Sequence, residues 1–325
     1  MQKALTCALG LGLILLSSAA ASAQSLQPVV FAWTANPQTP QVDLALKNDL
    51  FKQAGLDVKL VSFPTGREAV EALLGGQADF AYMAEFPLAA SVLRGQGLRI
   101  LVDLSRYKGN RIIASAKSLD IKSAKDLAGK KIGTTMGTNS EFFTDRLLAN
   151  AGAKAQVINA GPADLLPALL RGDIDAAIMF PTFFDAAKKA LGSDYRELIS
   201  QDYILHSVVS TSTATMEKQP DVIAKFIDAL IKADALVQNS PAAAQEAMAA
   251  NLKNNMTLSG IQTMWSDFDF GAKLDGSLLD LLTSQGGWMV GRGVIKAARP
   301  TAATYRPFLL DAPLKAIAPD RVNLP

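Results

Sequence analysis

Gly137-Thr138-Asn139-Ser140-Glu141 carries the strongest chemical signal in the chain. Glycine lets a backbone approach a guest closely, and two hydroxyls and an amide converge behind Met136. If a helix starts there, the positive end of its dipole favours negative charge by about 0.3–1 kcal/mol at an exposed site. The same residues satisfy ordinary helix capping, hydroxyl first and carboxylate three later, and Thr65-Gly66-Arg67-Glu68 repeats the arrangement. Aromatic side chains recur beside such starts: Trp33, Phe63 and Phe180 each close an apolar run, and Glu85-Phe86-Pro87 closes another. The expected wall is therefore Trp33, Phe63, Thr65, Glu85, Phe86, Met136, Gly137, Thr138, Asn139, Ser140 and Phe180. Glu85 is the discordant member, because a carboxylate repels an anion unless it holds a cation, meets an ammonium group or points away. Arg67, Arg106 and Arg111 are the arginines within reach.

Catalytic chemistry finds little support. One cysteine and one histidine cannot build a zinc site, an iron–sulfur site or a cysteine–histidine pair. No Gly-x-Ser-x-Gly elbow occurs, and Gly129 to Gly137 lacks the Gly-Lys-Ser/Thr ending of a phosphate loop. Asp173 and Asp175 fall at a turn and a strand start, and His206 falls within an extended stretch, where structural roles suffice. No enzyme activity, metal or cofactor is expected. Lysine plus arginine number 32 against 30 acids, a net charge of +2, so neither nucleic acid nor a membrane surface is an expected partner.

The elements that must position these residues come from a duplication. Ala72 to Met83 (ALLGGQADFAYM) aligns without a gap on Ala168 to Met179 (ALLRGDIDAAIM), with seven of twelve positions identical. Each copy reads as a helix end, a glycine cap and a short strand. Upstream, Leu50 to Gly55 matches Leu147 to Gly152, and strands Val29 to Trp33 and Lys131 to Thr135 come before those helices. The order β-α-β-α-β thus occurs twice, which predicts two α/β lobes with mainly parallel sheets flanked by helices. Ligands of open α/β sheets sit beyond the carboxyl ends of strands, where the residues above fall.

Lys3, the apolar stretch Ala4 to Leu16 and Ala21-Ser22-Ala23 read as a secretory signal cut after Ala23, taking Cys7 with it. That predicts a periplasmic protein with no membrane insertion of its mature part. Residues 24–112 and 209–325 are expected to form lobe one, and 113–208 lobe two. The chain would cross near Ile112 and return near His206, with hinges at Ile112 to Ser115 and Leu205 to Ser210. After Ser212 only helices are read, among them Leu258 to Phe270, as a tail packed on lobe one. A single helix is read from Thr39-Pro40 to Gly55.

The order of these motifs resembles the solute-binding proteins of nitrate, sulfonate and taurine ABC importers. It is carried by Gln53-Ala54-Gly55-Leu56, Gly76-Gln77-Ala78-Asp79 running into Ala84-Glu85-Phe86-Pro87, Asp126 to Gly133 (DLAGKKIG) and Gly137 to Phe143 (GTNSEFF). The resemblance covers roughly residues 28 to 240 and implies a type II periplasmic binding fold with two hinge crossings. It further implies a small anionic solute held at Trp33, Phe63, Glu85-Phe86, Thr138 to Ser140 and Phe180, and a membrane permease as partner. A monomer is expected. The aromatic loops also fit an aromatic carboxylate or a thiamine-type pyrimidine, and a thiamine-pyrimidine-synthase-like enzyme or a periplasmic sensor would use the same cleft.

Overall fold

The computed structural model describes residues 25–252 and 255–325. The expected leader, with Cys7 and its cleavage site, lies outside the described residues. The chain forms strands β1 (Gln27–Trp33), β2 (Leu56–Ser62), β3 (Phe80–Ala84), β4 (Leu98–Tyr107), β5 (Asn110–Ser115), β6 (Lys131–Thr134), β7 (Gln156–Asn159), β8 (Ala176–Ile178), β9 (Tyr195–Ser200), β10 (Leu205–Ser212), β11 (Phe268–Asp275) and β12 (Val322–Asn323). Seven make one sheet in the order β12-β11-β4-β10-β3-β1-β2, and five make a second in the order β7-β6-β8-β5-β9. Both sheets are mixed. The duplicated units supply the parallel parts, β2-β1-β3 and β7-β6-β8, while the strands joining them run antiparallel.

The duplication extends to single atoms. The Asp79 carboxylate accepts the Val30 backbone N–H at 2.8 Å, and its counterpart Asp175 accepts the Lys131 N–H at 2.8 Å. Each fastens its strand to the one that opens its unit. The preceding glycines Gly76 and Gly172 lie at φ 71° and 79°, a left-handed conformation that side chains resist.

Sheet one is backed by the helix Pro220–Asn239, whose Phe226 ring stacks on Phe80 at 4.0 Å and Phe51 at 5.0 Å and meets Phe31 edge-on. Proline opens this helix, where its missing N–H is no loss. The helix expected from Pro40 to Gly55 is instead two, Pro40–Lys47 and Leu50–Gln53, because Asp49 turns to φ 53°. Aspartate is among the few residues that tolerate that conformation.

The chain leaves sheet one after Tyr107, enters sheet two at Asn110, leaves it after Ser200 and returns at Leu205. Ile112 to Ser115 and Leu205 to Ser210, expected as hinges, lie within the buried strands β5 and β10. The connections are residues 108–109 and 201–204. The all-helical tail is also corrected: its helix stops at Met264, and Phe268–Asp275 joins sheet one beside β4. Phe268, Phe270, Ala272 and Leu274 alternate with polar or small residues, the period of a strand with one covered face.

Among the described residues no helix is long and apolar enough to cross a membrane, and no cluster of His, Cys, Asp and Glu could hold a metal ion.

Candidate functional site

The carboxyl ends of β1, β3, β6 and β8 converge on a cleft between the two sheets, of about 710 Å³ including its open mouth. Sheet one contributes Thr34, Gln38, Tyr82 and Met83; across the gap stand Asn139, Ser140, Met179 and Phe180, with Tyr107, Asn110 and Arg111 at the first chain crossing.

The loop after β1 is shaped by its own amides. Asn36 Oδ1 accepts the Gln38 N–H at 2.7 Å, and the Gln38 carbonyl accepts the Ser105 hydroxyl at 2.6 Å. The Gln38 side-chain oxygen accepts two hydroxyls, Tyr82 from β3 and Ser207 from β10. The Thr34 hydroxyl is buried without a partner among the described residues. Burial pushes the Tyr82 and Tyr107 phenols far above the ordinary tyrosine range, so both stay neutral.

Arg111 is the one charged side chain on this wall among the described residues. It reaches Glu197 at 3.1 Å and Asp267 at 2.8 Å and lies 5.0 Å over the Phe184 ring. Burial alone would weaken its proton affinity, but Glu197, Tyr107 and Asp267 outweigh that and hold it charged.

Of the residues expected from sequence, Thr138, Asn139, Ser140 and Phe180 face the cleft. Thr138 caps the helix Asn139–Ala151; its hydroxyl accepts the Ser140 N–H at 3.2 Å and donates to Thr135 at 2.6 Å. Phe63 sits outside, in a vestibule shared with Thr34, Ala35, Phe180 and Thr182.

The other expected wall residues lie elsewhere. Trp33 is a core residue, 5% exposed, its indole N–H donated to Thr39. Thr65 is consumed by a reciprocal capping box with Glu68. Phe86 points away from the cleft, packing on Phe142 and Trp288. Met136 is 38% exposed, and Gly137, at φ 76°, borders a separate groove with Arg67. Of these only Trp33 ends a strand; Thr65 caps the helix Gly66–Leu74, Phe86 lies in the first turn of the helix Glu85–Leu93, and Met136 and Gly137 follow β6 in a loop.

Glu85 points away as well. It is fully buried, accepting from the Tyr203 hydroxyl, the Gln285 amide and the His206 backbone N–H at 2.9 Å. Burial raises its carboxyl above the usual range despite His206 and Tyr203. It thereby ties the helix Glu85–Leu93 to the return crossing and to the tail helix Gly276–Gly291. His206 has the structural role read from sequence, with Nδ1 2.7 Å from Asp103 Oδ2. Burial depresses its proton affinity, but the Asp103 charge and hydrogen bond raise it overall.

Gln38, Tyr82 and Asn110 were missed by the sequence reading. Their signal was weak: Asn36-Pro37-Gln38 directly after a strand end is turn chemistry, and Tyr82 lies in the repeat where the second copy has Ile178.

Residues 36–244 match the family model described as NMT1/THI5 like. A putative binding protein of Brucella abortus (strain 2308) is 33% identical over 142 residues, 42% of this chain and 43% of the relative. The taurine-binding periplasmic protein of Escherichia coli (strain K12) is 24% identical over 195 residues, 57% of this chain and 59% of the relative. Each match thus spans well under two thirds of the curated relative. The alkanesulfonate-binding protein SsuA from Xanthomonas axonopodis pv. citri, solved bound to MOPS, superposes with a TM-score of 0.73 at 17% identity, covering 87% of this chain and 97% of that one. At that identity the likeness is one of fold.

Proposed function

The chain belongs to the NMT1/THI5-like family, and from that premise we propose that it is the periplasmic solute-binding component of an ABC importer, which captures a small solute and hands it to a membrane permease without transforming it. The observation that carries this reading is the cleft between the two sheets, walled from both sides by strand ends and a helix start. In this proposal residues 25–107 and 205–325 form one lobe and 110–200 the other, and they close about residues 108–109 and 201–204.

Two solute classes fit. A small organic anion such as a sulfonate, taurine or nitrate is supported by Asn139 and Ser140 at the start of the helix Asn139–Ala151, and by relatives named for taurine and aliphatic sulfonates. An aromatic carboxylate or a thiamine-type pyrimidine is supported by the Tyr82, Tyr107, Met179 and Phe180 surfaces. Either would be clamped by closure.

The test is a thermal-shift screen of the leaderless protein with members of both classes. A solute present at a hundred times its Kd adds about 2.7 kcal/mol and raises Tm measurably. The hit should also compact the protein in solution scattering, and deleting the gene should abolish its uptake by intact cells. A screen in which no solute raises Tm overturns the reading.

A further inference from the structure

The cleft offers an incoming charge very little. Its one wall cation among the described residues, Arg111, already carries two carboxylates, Glu197 and Asp267, so the cluster is net negative before a guest arrives. At the helix start opposite, two backbone donors are already engaged within the chain, which leaves the neutral Asn139 and Ser140 side chains on the wall. The Thr138 hydroxyl takes the Ser140 N–H, and the Glu141 carboxylate takes the Gly137 N–H at 2.7 Å.

What the walls leave over is neutral. The oxygen of the Gln38 amide is occupied by the Tyr82 and Ser207 hydroxyls, which fixes the plane of the group. Its Nε2 then has no protein partner among the described residues, and Gln38, 5% exposed, lines the cleft. On the same loop the Thr34 hydroxyl is buried, unpartnered and also on the wall. A pre-oriented donor costs little to organise on binding, and a guest without a matching acceptor forgoes that hydrogen bond.

We infer that the cleft selects an uncharged solute, with Gln38 donating its Nε2–H to an acceptor atom of the guest and Tyr82 acting as the positioning residue that aims it. This inference rests on the solute-binding reading and narrows it: fully ionised heads are disfavoured, and specificity comes from hydrogen bonds across a partly aromatic cleft.

The experiment is a binding panel by calorimetry at low and high salt, with cytosine, uracil and nicotinamide as neutral probes and benzoate, ethanesulfonate and nitrate as anions. A neutral probe should bind tightest, with an affinity that salt does not change. Gln38→Ala should weaken it about tenfold. Gln38→Glu keeps the oxygen that Tyr82 and Ser207 need and exchanges the donor for a carboxylate oxygen, so an equal or larger loss in a variant of unchanged Tm excludes misfolding. Tyr82→Phe should narrow the preference for the bound probe over the other two neutral probes, which a merely structural role would leave in place. Tightest binding of an anion with salt-dependent affinity, or an unchanged Kd in Gln38→Ala and Gln38→Glu, overturns this inference and leaves solute binding standing. Silence from all six probes overturns both.

Discussion

Asp43 lies wholly buried on the helix Pro40–Lys47, where it accepts one hydrogen bond from Asn251 at 2.7 Å and leaves its other oxygen unpartnered. Burial pushes its carboxyl up to about 7 against that hydrogen bond. The folded chain therefore holds a proton that the unfolded chain has released above about pH 4. The associated stability is complete below the usual carboxylate range and is lost as pH rises to about 7. Glu85 and His206, both raised, act in the same direction: the contribution of His206 is full below about pH 6.5 and fades as pH climbs through its folded value. Asp275 opposes them at the acid end. Burial works to raise it, but Lys273 and Ser277 hold it down to about 2, so its contribution goes only as pH falls below about 4. Denaturant unfolding should accordingly show greater stability at pH 5 than at pH 8. Asp43→Asn, which cannot ionise, should flatten that slope and raise Tm at pH 8 by several degrees; an unchanged slope would remove Asp43 from the account.

At the scale of elements, the helix Asn139–Ala151 separates two roles that its sequence runs together. Thr138 has both hydroxyl functions engaged within the chain, so Thr138→Ala should cost about 1 kcal/mol of stability by loss of the cap. The Ser140 hydroxyl has no protein partner among the described residues and faces the cleft. Ser140→Ala should leave Tm within a degree or two and weaken the bound solute several-fold, a contrast read by melting and calorimetry on the two variants. Sequence made this helix legible because glycine, hydroxyl and carboxylate punctuate it locally, and the repeat placed it at a strand end. The same local logic located the β-α-β-α-β units and their glycine caps. It failed for β11, where a short alternating run, Phe268 to Leu274, was absorbed into the helical period upstream. It failed again at Trp33, Thr65, Glu85 and Phe86. Which way a side chain at or just beyond a strand end turns depends on what packs behind it: Thr39 for Trp33, Trp288 and Phe142 for Phe86, and the tail's Gln285 for Glu85. Gln38 became visible only once Tyr82 and Ser207, 44 and 169 residues away, were brought to its oxygen.

The whole molecule is held across its cleft by the carboxy-terminal tail. Thr257 donates its backbone N–H and hydroxyl to Asp185, Asp267 pairs with Arg111, and Asp145 receives the Trp288 indole at 2.7 Å and Arg292 at 2.6 Å. Phe142, one turn from Asp145, packs edge-on against Trp288 at 5.7 Å. Of these, the Asp145 clasp lies on the helix that carries Asn139 and Ser140 and is the one remote from the Arg111 cluster, so it can be altered without touching the cleft wall. A two-lobed binder has solute affinity scaled by the fraction of molecules already closed. If the clasp favours closure, removing it lowers that fraction and leaves the solute to supply the difference. Trp288→Phe combined with Arg292→Ala removes both donors to Asp145 and retains an aromatic ring against Phe142. The double variant should have a larger radius of gyration without solute, return to the parent value when saturated, and bind several-fold more weakly with faster dissociation. An unchanged radius of gyration together with an unchanged Kd would show that the tail only packs on the second lobe, and that closure is set by the Arg111 pair and the Asp185 cap instead.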